Sequence, residues 1–129
     1  AGGRAAAGVS LPAFHLSFAV HDLRATARFY QDVLGCALLR DAGDWMDLSL
    51  HGHQLTLHQA DAGQPVRPID HFGLLMAHDQ WRLLARRIEE AGIAFAMAPQ
   101  VLEPDTEHAR GKFLLHDPAG NLLEFKCHG

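Results

Sequence analysis

The sequence lacks several features that would indicate a membrane, nucleic-acid or extracellular role. It contains no apolar run of about 18 residues, so it predicts no transmembrane helix. It has no basic stripe and a formal net charge of -4, which argues against a nucleic-acid partner. Its only cysteines, Cys36 and Cys127, have no CxxC spacing, so we expect two free thiols in a reducing compartment. These absences favour a cytoplasmic protein with a small-molecule partner.

Length and composition favour one soluble globular domain. The chain has 129 residues, of which 48% are hydrophobic and 20% are charged. The segment 1–11 begins with small residues of low complexity and has no apolar signal core. We interpret it as a disordered arm or a tag remnant, not as a secretion signal, and place the domain at 12–129.

Two halves of the chain follow one plan, which predicts an internal repeat of about 55 residues. Module one (12–60) and module two (69–127) each read as strand, helix and three strands, and a linker rich in Gly and Pro (61–68) joins them. This plan predicts an α+β fold in which paired βαβββ modules form an open curved β-barrel with the helices outside. The predicted strands are 13–20, 36–40, 45–50, 53–59, 69–76, 93–98, 111–116 and 121–127, and the predicted helices are 23–34 and 79–91.

Three residues combine metal-binding chemistry with positions in strand-like runs: His15, His71 and Glu124. Side chains alternate between the two faces of a strand, and each of the three lies on the less apolar face. Two neutral imidazoles and one carboxylate can hold a divalent metal and leave other positions open for substrate. If the three side chains converge, the sequence predicts a small metalloenzyme.

Other residues are candidates for proton transfer and substrate contact. His58 shares a strand face with Gln54 and Thr56, so it is our first candidate for acid–base work, with a structural role as the alternative. Trp45 and Phe113 could line an aromatic substrate, although packing in a core is the simpler interpretation of both.

A charged segment follows the loop 99–109. His108, Arg110 and Lys112 could supply an acid or bind an anionic group of the substrate. A solvated charged surface is the alternative interpretation.

The first half contains Val20-His21-Asp22-Leu23, Ala27-Arg28-Phe29-Tyr30 and Val33-Leu34-Gly35, and the chain closes with Asp117-Pro118-Ala119-Gly120-Asn121-Leu122-Leu123-Glu124-Phe125. These two signatures resemble those of the vicinal oxygen chelate superfamily. This superfamily includes glyoxalase I, extradiol dioxygenases, fosfomycin-resistance enzymes and metal-free bleomycin-binding proteins. The resemblance covers about residues 12 to 127. Within the superfamily, the chain is most similar to small predicted dioxygenases of the extradiol type. The segments that carry the similarity to the extradiol-type dioxygenases are Gly52-His53-Gln54-Leu55, Asp70-His71-Phe72-Gly73 and Leu123-Glu124-Phe125-Lys126.

The resemblance implies the paired βαβββ fold and assigns the metal to His15, His71 and Glu124. The fourth position, which glyoxalase I fills with a glutamate, falls near Gln54 here. Gln54 could coordinate weakly through its amide oxygen but adds no charge, so we expect it to contact the substrate, and this departure argues against the glyoxalase interpretation. Fe(II) suits a set of two histidines and one carboxylate, and Mn(II), Zn(II) or Ni(II) could also bind. A single pair of modules further predicts a homodimer.

The sequence therefore predicts a non-haem, Fe(II)-dependent dioxygenase of the extradiol type, acting on a small aromatic with a vicinal diol. Two alternatives stay open. One is a metal-dependent lyase or isomerase of the glyoxalase I type, which would consume no dioxygen. The other is a non-catalytic protein that binds an aromatic compound, whose ligand affinity would not respond to a chelator.

Overall fold

A computed structural model describes residues 12–128, which form two compact units that divide between Val66 and Arg67. Each unit contains a strand, a helix and three strands, as the sequence plan predicts, and the division falls inside the predicted linker. The segment 1–11, predicted to be an arm or tag remnant, lies outside the described residues. The elements are β1 (His15–Val20), α1 (Leu23–Asp32), β2 (Ala37–Asp41), β3 (Trp45–Leu50), β4 (His53–Gln59), β5 (Phe72–Met76), α2 (His78–Glu90), β6 (Met97–Leu102), β7 (Arg110–His116) and β8 (Leu122–His128).

Unit one is a four-stranded sheet in the order β1-β4-β3-β2, with α1 packed against β3 and β4. β1 runs parallel to β4, and the other neighbouring strands are antiparallel. Asp22 caps α1, because its side chain accepts a hydrogen bond from the N–H of Ala25 at 3.0 Å. Leu48 and Leu57 are fully buried on the helix side of the sheet.

Unit two repeats this arrangement in the order β5-β8-β7-β6, with α2 packed against β8. The indole Nε1 of Trp81 donates a hydrogen bond to the carbonyl oxygen of Phe125 at 2.9 Å, which fixes the helix on the sheet. Gly111 leaves the room that this packing requires, since a Cβ there would lie 2.6 Å from the sulfur of Cys127. Cys36 and Cys127 are both buried and form no disulfide within residues 12–128, as predicted.

Each sheet therefore has a buried face against its helix and an opposite face, which we call the distal face. Alternation along the strands separates the two, because successive side chains point to opposite sides. In β7 and β8 the fully buried residues alternate with partly exposed ones. The distal face of unit one carries His15, Ser17, Trp45, Asp47, Gln54, Thr56 and His58, and that of unit two carries Gly73, Leu75, Lys112, Leu114, Leu122, Glu124 and Lys126.

The predicted strand bounds differ most from the structure at β6 and β5. The strand predicted at 93–98 is β6, which begins four residues later and includes Pro99. Pro99 is tolerated because β6 is an edge strand with a register shift between Met97 and Gln100, where a missing N–H breaks no essential pairing. β5 begins at Phe72, so His71 lies just before the strand. Within residues 12–128, no helix is long and apolar enough to cross a membrane.

Candidate metal centre

His71 and Glu124 come together on the distal face of unit two. His71 lies immediately before β5, and Glu124 lies in the middle of β8, which runs parallel to β5. The Nε2 atom of His71 is 3.9 Å from Oε1 of Glu124. The side chain of Glu124 is 17% exposed and that of His71 is 51% exposed, so both can be reached from solvent.

This separation fits two ligands of one divalent ion. Metal–nitrogen and metal–oxygen bonds of about 2.1 Å allow two donors on one ion to lie up to roughly 4.2 Å apart. The observed 3.9 Å between His71 and Glu124 falls inside that limit. An imidazole and a carboxylate are also donors that first-row divalent metals accept. The pair is therefore chemically and geometrically suited to hold a metal.

Asp70 orients the imidazole of His71. Its Oδ2 lies 2.9 Å from Nδ1 of His71, on the opposite side of the ring from Glu124. A carboxylate at Nδ1 holds the Nδ1–H tautomer and leaves the Nε2 lone pair free to bind a metal. Asp70 therefore favours the ring tautomer that ligation through Nε2 needs.

Lys112 forms an ion pair with the second carboxylate oxygen of Glu124, Oε2. Its Nζ lies 3.4 Å from Oε2 of Glu124, and the two side chains are 27% and 17% exposed. Because Lys112 lies beside Oε2 and His71 beside Oε1, the carboxylate is shared between an ammonium group and the imidazole. Lys112 thus lies next to the candidate ligands, as the prediction of a substrate contact requires.

The internal repeat relates these residues to positions in unit one. Val20 ends β1 and Met76 ends β5, and counting back from these ends aligns Ser17 with Gly73. The same count aligns His15 with His71. His15 is thus the counterpart of His71 in unit one, and it is exposed on the distal face.

The register identifies Thr56 as the counterpart of Glu124. Gly73 pairs with Glu124, whereas its counterpart Ser17 pairs with Thr56. Gln54, which the sequence analysis placed near the fourth ligand position, lies two residues earlier and pairs with His15. The repeat-equivalent position therefore holds a neutral hydroxyl, and Gln54 as a substrate contact stays a prediction.

Thr56 is hydrogen-bonded to the carboxylate of Asp47, a residue that the sequence analysis did not identify. Its Oγ1 donates a hydrogen bond to Oδ1 of Asp47 at 2.6 Å, and Thr56 is only 8% exposed. Asp47 pairs with Thr56 in register across β3 and β4, so the two side chains share the distal face. The alternation of Trp45, Asp47 and Ser49 with buried residues was the signal that could have identified Asp47.

Two further candidates, His58 and Trp45, also lie on the distal face of unit one. They pair in register across β3 and β4, and His58 is exposed. The guanidinium of Arg40 lies 4.8 Å from the centre of the Trp45 ring, so one face of the indole is covered. Both roles stay predictions.

Phe113 does not line a substrate site. Its side chain is fully buried, and its ring lies 5.4–5.6 Å from those of Trp81, Phe95 and Phe125. Phe113 lies in β7 at a position that faces α2, so alternation directs it into the core of unit two. The prediction of a substrate contact at Phe113 is therefore wrong, and the simpler interpretation holds.

His108 and Arg110 lie around a separate surface recess of unit two. The guanidinium of Arg110 pairs with the carboxylate of Glu103 and donates to the carbonyl of His108 at 3.1 Å. The recess has a volume of about 320 Å³ and also includes Glu107 and His128. Arg110, the first residue of β7, is thus paired with a carboxylate of the preceding loop, and the substrate roles of His108 and Arg110 stay predictions.

Within residues 12–128, neither unit by itself brings three His, Cys, Asp or Glu side chains together as a metal-binding group. Unit two supplies the pair His71 and Glu124, and unit one carries His15. The complete triad therefore stays a prediction.

Comparison with known proteins identifies the fold and the family. The family described as the Glyoxalase/Bleomycin resistance protein/Dioxygenase superfamily matches residues 13–125. None of the curated proteins compared with the chain matches it.

Among solved structures, a glyoxalase/bleomycin resistance protein/dioxygenase from Alicyclobacillus acidocaldarius is 30% identical, with a TM-score of 0.76 over 91% of each chain. A lactoylglutathione lyase from Agrobacterium tumefaciens is 21% identical, with a TM-score of 0.68 over 90% of this chain and 92% of its own. An oxidase, ChaP-H2, is 24% identical, with a TM-score of 0.68 over 94% of this chain and 96% of its own. The last two are so distant in sequence that they show a shared fold alone.

Proposed function

Because the chain belongs to the Glyoxalase/Bleomycin resistance protein/Dioxygenase superfamily, we propose that it is a metal-dependent dioxygenase of the extradiol type, acting on a small aromatic with two adjacent hydroxyls. One observation carries the proposal: Nε2 of His71 and Oε1 of Glu124 lie 3.9 Å apart, within reach of one ion. The neutral Thr56 at the counterpart of Glu124 supports a ligand set with a single carboxylate.

In this proposal His15, His71 and Glu124 hold Fe(II). Two histidines and one carboxylate are the set that non-haem iron oxygenases use, and they leave positions open. The iron would supply a Lewis acid for the two substrate oxygens and the redox chemistry that dioxygen needs. Asp70, through Nδ1 of His71, would hold the ring in the orientation that binds metal.

A residue of the chain, His58, would accept the proton that the substrate releases. His58 is exposed on the distal face of unit one, beside Trp45 in register, and an imidazole can accept or donate a proton near neutral pH. We propose that it takes a hydroxyl proton from the substrate as the diol binds. Lys112, whose Nζ lies 3.4 Å from Oε2 of Glu124, would hold that carboxylate in place beside the metal.

A metal-dependent lyase or isomerase of the glyoxalase type is the second candidate, and Asp47 favours it. Such a reaction needs a carboxylate that moves a proton between adjacent carbons of the substrate. Asp47 is a carboxylate on the distal face of unit one, hydrogen-bonded to Thr56. This candidate predicts turnover of a hemithioacetal without dioxygen, and its loss in Asp47→Asn.

Dioxygen uptake by anaerobically Fe(II)-loaded protein, measured against a panel of catechols, tests the first proposal. We expect substrate-dependent uptake that His71→Ala abolishes and that His78→Ala, a change to an exposed histidine at the start of α2, preserves. The absence of uptake with iron confirmed bound would contradict the dioxygenase assignment. Tight binding of an aromatic ligand that a chelator does not change would instead support a non-catalytic binding protein.

A further inference from the structure

The chain contains two lysines, and they lie directly opposite each other in the sheet of unit two. Lys112 in β7 and Lys126 in β8 are register partners, so their side chains share the distal face with Glu124. Like charges at directly opposed positions destabilise a sheet. This arrangement therefore costs stability unless another charge compensates for it.

Glu124 compensates for only one of the two ammonium groups. Lys112 lies 3.4 Å from Oε2 of Glu124. Lys126 is partly buried and has no ion-pair partner among the other residues of the range 12–128. The distal face of unit two thus carries an uncompensated positive charge next to the candidate metal ligands.

An apolar side chain adjoins this charge. Leu75 in β5 is the register partner of Lys126 on its other side, and 60% of Leu75 is exposed. A ligand that places an anionic group between the lysines would therefore bring an attached ring or chain against a leucine. Lys126 lies two positions after Glu124 in β8, which is about 7 Å along the strand. A single substituted aromatic ring can bridge that distance.

We propose that Lys112 and Lys126 form an anion subsite, which binds a carboxylate or phosphate group carried by the substrate on the side of its ring away from the diol. The position of the diol rests on the proposed function, but binding of the anion needs no metal. The substrate class would then be an aromatic diol with an anionic substituent. Lys126 would determine specificity without touching the reacting oxygens.

The lysine count makes a direct test possible. In an NMR spectrum of protein labelled with ¹³C at lysine Cε, Lys112 and Lys126 give one signal each. The variants Lys112→Arg and Lys126→Arg each remove one signal and so assign both. Metal-free protein is titrated with benzoate, phenyl phosphate and neutral benzamide. We expect the anions to shift both signals and benzamide to shift neither, and the tighter anion identifies the group that the subsite prefers. Equal shifts with benzamide, or no shift with either anion at millimolar concentration, would overturn the proposal.

Variants test the charge itself. Lys126→Gln should weaken binding of the preferred anion about tenfold, the size of one lost charge-assisted hydrogen bond. Lys126→Arg should retain most of the affinity, because the charge is kept. Arg82→Gln, which removes an equal charge from an exposed position of α2, should leave affinity unchanged. Wild-type affinity in a folded Lys126→Gln protein would contradict the subsite.

The outcome separates this inference from the dioxygenase proposal. Anion binding that depends on both lysines, without dioxygen uptake, would sustain the subsite and reject the proposed reaction. Dioxygen uptake with equal kcat/KM for catechol and 3,4-dihydroxybenzoate, together with unmoved lysine signals, would sustain the reaction and reject the subsite.

Discussion

The side-chain oxygen of Asn121 accepts a hydrogen bond from the backbone N–H of Ile69 at 2.6 Å, across 52 positions of the chain. The amide of Asn121 also donates to Oδ2 of Asp117 at 2.9 Å, and Asn121 is 2% exposed. Ile69 lies two residues before His71, and Asn121 lies immediately before β8, which carries Glu124. One buried amide therefore ties together the two segments that carry the candidate ligands.

Asn121→Ala should lower both stability and metal affinity. The substitution leaves the N–H of Ile69 without its acceptor in a partly buried place, which costs about 1–3 kcal/mol in the free energy of unfolding. Denaturant unfolding measures that cost, and Gln100→Ala on the exposed edge strand β6 is the control. The segment before β5 would also be released, so Mn(II) affinity should fall in protein that is still folded. Unchanged stability would show that Asn121 does not hold these segments.

Gly73→Ala should disrupt the pairing of β5 with β8. A Cβ at Gly73 would lie 1.6 Å from the backbone oxygen of Glu124, which no side-chain rotation relieves. We expect a loss of about 3 kcal/mol or more in the free energy of unfolding. Ser17→Ala is the matched control, because Ser17 is the counterpart of Gly73 and already carries a Cβ. A Gly73→Ala protein as stable as the control would contradict the close approach of the strands.

Hydrophobic periodicity predicted most elements because each sheet packs one apolar face against a helix. The strand at 53–59 was predicted with its observed bounds, since Leu55 and Leu57 alternate with polar residues and Gly52 marks the preceding turn. β6 was misplaced because Pro99 reads as a strand breaker in sequence, although an edge strand needs no N–H at that position.

Chemical candidates were harder to predict than elements, because their roles depend on register. Strand alternation placed Glu124 and Lys126 on one face, but only the pairing of β7 with β8 sets Lys112 opposite Lys126. Likewise the sequence suggested Gln54 as the counterpart of a fourth ligand, whereas the pairing of β1 with β4 identifies Thr56. A register shift of two residues leaves a side chain on the same face of the sheet but gives it a different partner on the next strand. The sequence pattern alone therefore could not identify these partners.

Glu124→Gln and Gln54→Ala should differ sharply in metal affinity. Glu124 supplies the only carboxylate of the proposed ligand set, so its neutral amide should weaken Zn(II) or Mn(II) binding more than about 100-fold, beyond the usual effect of outer-shell residues. Gln54 lies two residues from the counterpart of Glu124, so Gln54→Ala should keep most of the affinity. Competition with a chelating dye measures both. Equal losses in the two variants would restore the view of Gln54 as a fourth ligand.

His51→Asn should remove part of the acid sensitivity of the β3–β4 hairpin. His51 and Gly52 form its two-residue turn with positive φ values of 50° and 86°, a geometry that Asn-Gly favours. Partial burial of the imidazole, and then the nearby His53, lower the pKa of His51 below its usual value of 6.5. Stability from His51 is therefore present above about pH 6.5 and is lost as the pH falls through the lowered pKa, because the unfolded chain binds the proton more readily.

The free energies of unfolding of the wild-type protein and of His51→Asn, measured between pH 8 and pH 5, should diverge only below about pH 6.5, and that of the variant should fall less. Since His51 is only partly buried, the difference should be small. Parallel curves across the whole range would show that His51 does not titrate differently in the folded protein.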